Sequence, residues 1–416
     1  MMEVLPPVRL EDFDYELPPE RIAQHPLPER DRCRLLVADH RRRQLAHHIF
    51  AELPQLVPAP SLLVRNITRV VHARLFLRKP TGGLVELLLL APTSGSADAA
   101  FGATPPVEWE CLLRGRRLRP GTVLSVEADG LRLHAVLHEV SHGIARLRFE
   151  WDPPDMTLAE LLEHLGHVPL PPYVRRSDQP ADRQHYQTVY ARIPSSVAAP
   201  TAGLHFTERL LRELEHAGIG FADVCLHIGL DTFKPVRAAD ARFHRMHSEA
   251  LMVPRETLEI LLHFLRSPER RWLVAIGTTS VRTLESLYWH GVRLLRREPS
   301  VWDSPHLQVG QWDAYRLQTT ALPPAAEALE AIGEWLGHHR LGRIEGTTEL
   351  MILPGYQYQL CDALITNFHQ PRSTLLLLIA ALIGDFWREV YAEALAQGYR
   401  FLSYGDASLL ISERAR

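Results

Sequence analysis

The sequence predicts an α/β fold with a small all-β unit set inside it, on three observations. From about residue 73 to 153 the chain is built of short alternating segments bounded by Gly and Pro, the two-residue period of strands with one buried face. After Asp152-Pro153-Pro154 strand and helix patterns alternate, as they do in a layered α/β domain. Residues 1 to about 70 mix Pro-rich turns with short apolar runs such as Leu35-Leu36-Val37, so this first segment needs a later part of the chain to complete it.

Each element follows from its pattern. Leu131, Leu133, Ala135 and Leu137 alternate with polar residues, as do Ala145, Leu147 and Phe149. With Val85 to Leu90, Trp109 to Leu113 and Thr122 to Val126 this gives five or more strands, which close naturally as a barrel or sandwich. Ser94 to Pro106, rich in Gly, Ser, Ala and Pro, reads as a flexible loop within that region. Further on, Thr207 is placed to cap a helix carrying Leu210, Leu211 and Leu214 and stopping at Gly218. Val224 to Leu230, Leu273 to Ile276, Leu350 to Leu353 and Ala363 to Thr366 read as buried strands, Val281 to His290 and Thr374 to Ile383 as helices.

Composition narrows the class. At 416 residues, with 46% hydrophobic, the chain buries a large core without staples. Cys33, Cys111, Cys225 and Cys361 lie far apart with no C-x-x-C pair, which excludes a zinc knuckle and a disulfide scaffold. Met1 to Asp14 carries four acids and no signal-peptide pattern. The longest candidate membrane stretch, Leu375 to Ile383, is nine residues, about half of the ~20 a spanning helix needs. The expectation is a soluble cytoplasmic protein, a monomer or small homo-oligomer with no membrane partner.

Formal charge is −3, yet of 46 basic residues only Lys79 and Lys234 are lysines. Arginines cluster at 30 to 43, 114 to 119, 175 to 183 and 293 to 297. Two readings stand, solvated faces in an arginine-favouring chain or a phosphate-tracking surface for RNA.

The chemistry lies in short polar turns. W-L-V-A-I, G-T-T-S and V-R-T-L-E-S-L (272 to 287) read as strand, glycine turn and helix start. There Gly277, Thr278, Thr279 and Arg282 offer an anion site, or Ser280 simply caps the helix. A-L-I-T-N-F-H-Q-P-R-S-T (363 to 374) and F-L-S-Y-G-D (401 to 406) are read as polar groups just past the C-terminal end of an apolar strand, where α/β sheets bind ligands. P-T-A-G-L-H-F (200 to 206) sets Thr201, Gly203 and His205 before a helix, either to shape a turn or to supply a neutral imidazole. M-H-S-E adds His247 and Glu249. His244 and His247 have an i, i+3 spacing without a third ligand motif, so no metal is expected. No P-loop, G-x-S-x-G or G-x-G-x-x-G occurs.

Together these segments resemble the S-adenosylmethionine:tRNA ribosyltransferase-isomerase family of queuosine biosynthesis. The likeness covers nearly the whole chain, including F-D-Y-E-L-P-P-E-R-I-A-Q-H-P-L (13 to 27), T-G-G-L-V-E-L-L-L-L (81 to 90), L-P-P-Y (170 to 173), A-A-P-T-A-G-L-H-F (198 to 206), M-H-S-E, G-T-T-S-V-R-T-L-E-S (277 to 286), D-A-L-I-T-N-F-H (362 to 369) and Y-R-F-L-S-Y-G-D-A (399 to 407). It implies one α/β domain, residues 1–72 with 154–416, interrupted by an inserted β-barrel at 73–153. It implies transfer of the ribosyl part of S-adenosylmethionine, a consumed cosubstrate and not a cofactor, to the aminomethyl group of a 7-deazaguanine at the tRNA wobble position. Epoxyqueuosine forms, and adenine and methionine leave.

That chemistry needs a base for the CH₂ beside the sulfonium and an acid for departing adenine. Glu249, His247 and His205 are the candidates, with Asp406 in reserve. Thr201, Gly203, Gly277, Thr278, Thr279, Arg282, Asn367, His369 and Tyr404 are the candidate substrate contacts, Arg282 for the methionine carboxylate and Asn367 or Asp406 for the deazaguanine edge. The chain departs from the family pattern at Ile67, Asp231, Ala250-Leu251 and the T-E-L-M-I-L run before P-G-Y. A paralogue with another acceptor and a catalytically silent RNA-binding protein are the alternatives.

Overall fold

Strands buried on both faces form the centre of the molecule. The computed structural model describes residues 7–95, 97–141, 144–227, 238–318 and 321–415. In chain order the strands are β1 (Arg34–Asp39), β2 (Gln44–Ile49), β3 (Leu62–Asn66), β4 (Thr68–Val70), β5 (Arg74–Arg78), β6 (Leu84–Pro92), β7 (Val107–Arg114), β8 (Val123–Ala128), β9 (Leu131–Ser141) and β10 (Ile144–Asp152). They continue with β11 (Ile193–Ser196), β12 (Gly220–Leu226), β13 (Glu249–Pro254), β14 (Leu273–Ile276), β15 (Leu307–Val309), β16 (Arg343–Thr348), β17 (Ala363–Asn367) and β18 (Ala407–Ile411).

Ten of them make one mixed sheet in the order β15-β16-β13-β12-β3-β14-β17-β18-β1-β2. β12, β3, β14 and β17 run parallel, and β18 pairs antiparallel to β17 and parallel to β1. The incomplete N-terminal segment is thus finished by the last strand of the chain. Alternate residues serve opposite cores: Leu273 and Ala275 join Leu364 beneath the Gly277–Leu295 and Ala325–His338 helices, while Val274 and Ile276 join Ile365 against Phe50 and Phe206. Covering both faces is why these strands read as continuous apolar runs.

β5 to β10 close a separate six-stranded barrel in the order β10-β7-β6-β5-β8-β9, with Trp109, Leu133, Leu147 and Phe149 inside. The helix Leu158–Leu165 packs Leu158, Leu161 and Leu162 into the same core.

Five expectations are corrected. Ala97–Phe101 is a helix, not loop, and buried Phe101 packs on Trp109 with ring centroids 4.7 Å apart, an anchor that composition hides. β5 is a barrel strand that the pattern search passed over, its five residues mixing arginines with apolar ones. Leu350 to Leu353 is buried but unpaired, the strand being Arg343–Thr348 just before it. The strand read as Val224 to Leu230 is β12, ending at Leu226, and residues 228–230 lie outside the described residues, as does Asp231. The helix read as Val281 to His290 spans Gly277–Leu295.

Of the other departures, Ile67 is buried in the Phe206 core, and Leu251 is buried beside exposed Ala250. The four cysteines are buried and stand outside any disulfide. Among the described residues no helix is long and apolar enough to cross a membrane.

Candidate functional site

A cavity opens at the edge of the sheet where β14 and β17 end, and four chain segments line it. They are Ala199 to Ala202, Gly277 to Thr279, Thr366 to Ser373, and Leu402 with Ser403, joined by Tyr173. The 401 to 406 turn precedes β18 and does not follow a strand, which corrects the sequence reading. It still reaches this edge because β18 runs antiparallel to β17, with Ala407 opposite Asn367.

The wall at Gly277 is a helix N-terminus. Gly277 has φ +83°, a conformation that side chains resist, and this lets the chain turn from strand straight into the helix. No side chain caps the helix at Ile276. Ser280 was the expected cap, but its Oγ donates back to the Ile276 carbonyl at 2.8 Å. The helix start therefore keeps its positive end toward the cavity. Thr279 Oγ1 is buried with no partner among the described residues.

Asn367, at the end of the adjacent strand β17, also lines the cavity. Its Nδ2 donates to the Leu402 carbonyl at 3.1 Å and to His205 Nε2 at 3.1 Å. A flipped amide would set Oδ1 against a carbonyl oxygen, so Leu402 fixes the orientation. His205 Nε2 is then an acceptor, and its proton sits on Nδ1, 3.2 Å from Cys33 Sγ. Asn367 Oδ1 is left buried without a partner among the described residues. His205 itself is 5% exposed and packs on Phe50, and burial lowers its pKa to about 4. It is neutral with both ring nitrogens engaged.

His369 also lines the cavity. Its Nε2 lies 2.9 Å from Thr366 Oγ1, its backbone N–H donates to Tyr391, and its carbonyl accepts from Tyr15. Burial lowers its pKa to about 4. Tyr173 and Ser403 hydroxyls meet at 2.6 Å across the opening.

Glu249 begins β13 on the flank of the Gly277 helix, lining an open cleft of about 990 Å³ between the barrel and the sheet. Arg282 Nη1 donates to one of its oxygens, and His247 Nε2 lies 3.0 Å from the other. The carboxylate is 2% exposed and the guanidinium 8%. Arg282 Nε and Nη2 have no partner among the described residues.

Three candidates do other work in this geometry. Asp406 accepts from the Arg34 and Arg400 backbone N–H groups and from Arg34 Nη2 at 3.0 Å, a clasp that holds the 400 to 406 turn to β1. Tyr404 donates to Asp182 at 2.9 Å. At Gly203 an added Cβ would lie 2.1 Å from the Tyr190 hydroxyl, so this glycine serves packing.

The cavity thus gathers Thr201, Gly277, Thr278, Thr279, Asn367 and His369; His205 stands behind Asn367, and Glu249, His247 and Arg282 stand beside the helix. Tyr173 and Ser403 were not singled out from sequence, although Tyr173 lies in the L-P-P-Y motif and Ser403 in F-L-S-Y-G-D, where the signal was available. Among the described residues no group of three or more His, Cys, Asp or Glu is placed to hold a metal ion.

The buried histidines set a pH limit. His290, in the Gly277 helix, joins His205 and His369, its pKa lowered by burial to about 3. Each folded value lies below the ordinary 6.5, so the unfolded chain binds more protons as pH falls through 6.5. Stability is therefore full above about 6.5 and is lost progressively toward about 3. Thermal midpoints should fall across that window, and His290→Leu should flatten the slope; an unchanged slope in that variant would contradict the assignment to His290.

Comparison with known proteins places this geometry in context. The model of a family described as queuosine biosynthesis protein matches residues 10–410. An S-adenosylmethionine:tRNA ribosyltransferase-isomerase of Rubrobacter xylanophilus is 41% identical over 406 residues, 97% of this chain and 98% of the relative. One from Aquifex aeolicus is 36% identical, covering 97% and 100%. A solved S-adenosylmethionine tRNA ribosyltransferase of Thermotoga maritima is 31% identical, covers 96% of this chain and 100% of its own, and superposes with a TM-score of 0.46.

Proposed function

Because the chain belongs to the queuosine biosynthesis protein family, we propose that it acts as an S-adenosylmethionine:tRNA ribosyltransferase-isomerase with the cavity between the Gly277 helix and Asn367 as its cosubstrate site. Near-full-length relatives at 36% and 41% identity carry that activity in their names. The reaction in this reading moves the ribosyl part of S-adenosylmethionine to the aminomethyl-deazaguanine of tRNA, with adenine and methionine released. The division into an α/β domain of residues 1–72 and 154–416 and an inserted barrel of 73–153 belongs to the same proposal.

One observation supports the site most: Thr279 Oγ1 and Asn367 Oδ1, on two residues that line one cavity, are buried polar atoms with no partner among the described residues. Leaving such atoms unmet costs about 1–3 kcal/mol each, a cost that a bound ligand removes. The methionine carboxylate takes the helix N-terminus with Thr278, Thr279 and Thr201. Asn367 Oδ1 accepts an N–H or O–H of the same ligand. Glu249, in the neighbouring cleft on the flank of the same helix, is the proton acceptor for the CH₂ beside the sulfonium of a cosubstrate that extends from the cavity past the helix start into that cleft. It exchanges its bond to His247 for the substrate proton, and Arg282 holds it in place. His247, half-exposed, is the group that passes protons to departing adenine.

His205 acts through Asn367 as a positioning residue, since neither ring nitrogen is free. Asn367→Ala should raise KM for S-adenosylmethionine by about 10- to 100-fold, the loss of one buried hydrogen bond to a charged partner. His205→Ala should raise KM in the same direction, whereas His205→Gln, which restores an acceptor, should recover most of it. A fall in kcat without a change in KM for His205→Ala would contradict the positioning role.

The overall assignment is tested with S-adenosylmethionine and tRNA carrying the aminomethyl-deazaguanine. Adenine, methionine and epoxyqueuosine-tRNA are expected. Adenine release without a tRNA product would favour another acceptor, and tRNA binding without adenine release would favour a silent RNA-binding protein.

A further inference from the structure

We propose that the end of the barrel remote from the sheet is a docking surface for the phosphate backbone of the tRNA; the inference rests on the tRNA-modifying function proposed above. The barrel is tied to the body at one end. Arg74, where β5 starts, is bonded through its backbone in both directions to His167, and the chain returns from Asp152 at the end of β10. Strand registers place the other end. Glu86 lies opposite Arg114, Arg78 opposite Ser125, and Ile144 opposite Leu112, so residues 79–83 and 115–122 share the remote tip. Nine residues of β10, at about 3.4 Å per step along a strand tilted about 35–45° to the barrel axis, put that tip roughly 20 Å from the body.

Charge is sorted along this axis. The tip carries Arg78, Lys79, Arg114, Arg116, Arg117 and Arg119, with Glu86 below it and Glu110 and Glu139 on either side of Arg146. Glu86 lies 3.4 Å from Arg74 and 3.8 Å from Arg114, and Glu139 lies 3.8 Å from Arg146. Arg116, Arg117 and Arg119 are exposed and in no ion pair among the described residues. Lys79 Nζ donates to the Arg116 carbonyl at 2.7 Å, joining the two loops into one platform. The body end is the reverse, with Glu108, Glu127, Asp129, Glu150 and Asp152 against Arg74, Arg132 and Arg148.

A general preference for arginine replaces lysines; it does not separate cations from carboxylates along a barrel. In a chain of formal charge −3, a basic tip above an acidic collar is an electrostatic footprint for a polyanion. Arginine is suited to it, since its planar fork takes phosphate bidentately. A tRNA whose wobble nucleotide reaches the body has backbone to spare for a contact about 20 Å away.

The test uses the full chain, S-adenosylmethionine and the deazaguanine-bearing tRNA, with adenine release as the readout. Combined Arg116→Ala, Arg117→Ala and Arg119→Ala should raise KM for tRNA about 10-fold or more near 0.1 M salt. It should also lower the log–log salt slope by about 2–3, leaving kcat and KM for S-adenosylmethionine unchanged. The triple Lys variant, which keeps the charge, should restore tRNA KM. The inference is overturned if tRNA KM and slope match the parent, as they would if the tip served an acidic protein, or if the Ala loss also appears in KM for S-adenosylmethionine or is not restored by Lys. A parent protein that releases no adenine would instead count against the assigned reaction.

Discussion

Glu249→Gln should cut kcat by about 10²- to 10⁴-fold, the range for removing a positioned proton acceptor, while binding of S-adenosylmethionine changes little. The amide has nearly the shape of the carboxylate and keeps one acceptor for Arg282, but it cannot take a proton at neutral pH. A structural contribution must be separated from this loss. Arg282 is buried against Glu249, and breaking a buried pair from one side costs about 3–5 kcal/mol. The variant is therefore expected to melt earlier, and single-turnover adenine release is to be measured at a temperature where circular dichroism reports it fully folded. Undiminished turnover per folded molecule would remove Glu249 from the base role. A loss confined to KM for S-adenosylmethionine would move it from proton transfer to binding.

The second large effect is on stability. At Gly291, in the Gly277–Leu295 helix, an added Cβ would lie 2.1 Å from the Ala328 carbonyl oxygen, on the helix packed alongside. Backbone cannot move aside as a side-chain tip does, so the helices must separate. Gly291→Ala should destabilise by about 3 kcal/mol or more, net of the roughly 1 kcal/mol that Ala gains over Gly in a helix. A fall in Tm of about 3–4 °C or more follows for a chain of this size. Gly333, on the partner helix, has nothing within 4 Å of its would-be Cβ. Gly333→Ala should be neutral or raise Tm slightly, and equal effects at the two positions would contradict the close-approach account. The Gly277 helix carries the N-terminus that lines the cavity, so Gly291→Ala should also raise KM for S-adenosylmethionine below its melting range.

Local pattern carried the fold class and most element positions. Alternation along β9 and β10 needs only neighbours in sequence, and so does the helix from Thr207, whose Oγ1 accepts from Leu210 N–H as expected. The site motifs were equally legible, because strand-to-turn junctions are written in consecutive residues. The misplacements share a cause. The Ala97–Phe101 helix is anchored on Trp109, and the 401 to 406 turn owes its place to the direction in which β18 pairs with β17, facts set by packing and strand pairing and not by the segment's own residues.

Roles within the site divide in the same way. The residue types of G-T-T-S-V-R, M-H-S-E and P-T-A-G-L-H-F, and the chemistry they admit, were determined by the sequence alone. Only the tertiary structure decided which groups are free. It pairs Arg282 with Glu249 and engages both nitrogens of His205 between Asn367 and Cys33. It ties Asp406 to Arg34 and Arg400, and leaves Thr279 Oγ1 and Asn367 Oδ1 without partners among the described residues. The physical reason is that a donor's or acceptor's availability is set by what folds against it. Those partners lie 33, 162, 172 and 372 residues away in the chain, beyond the reach of any local pattern.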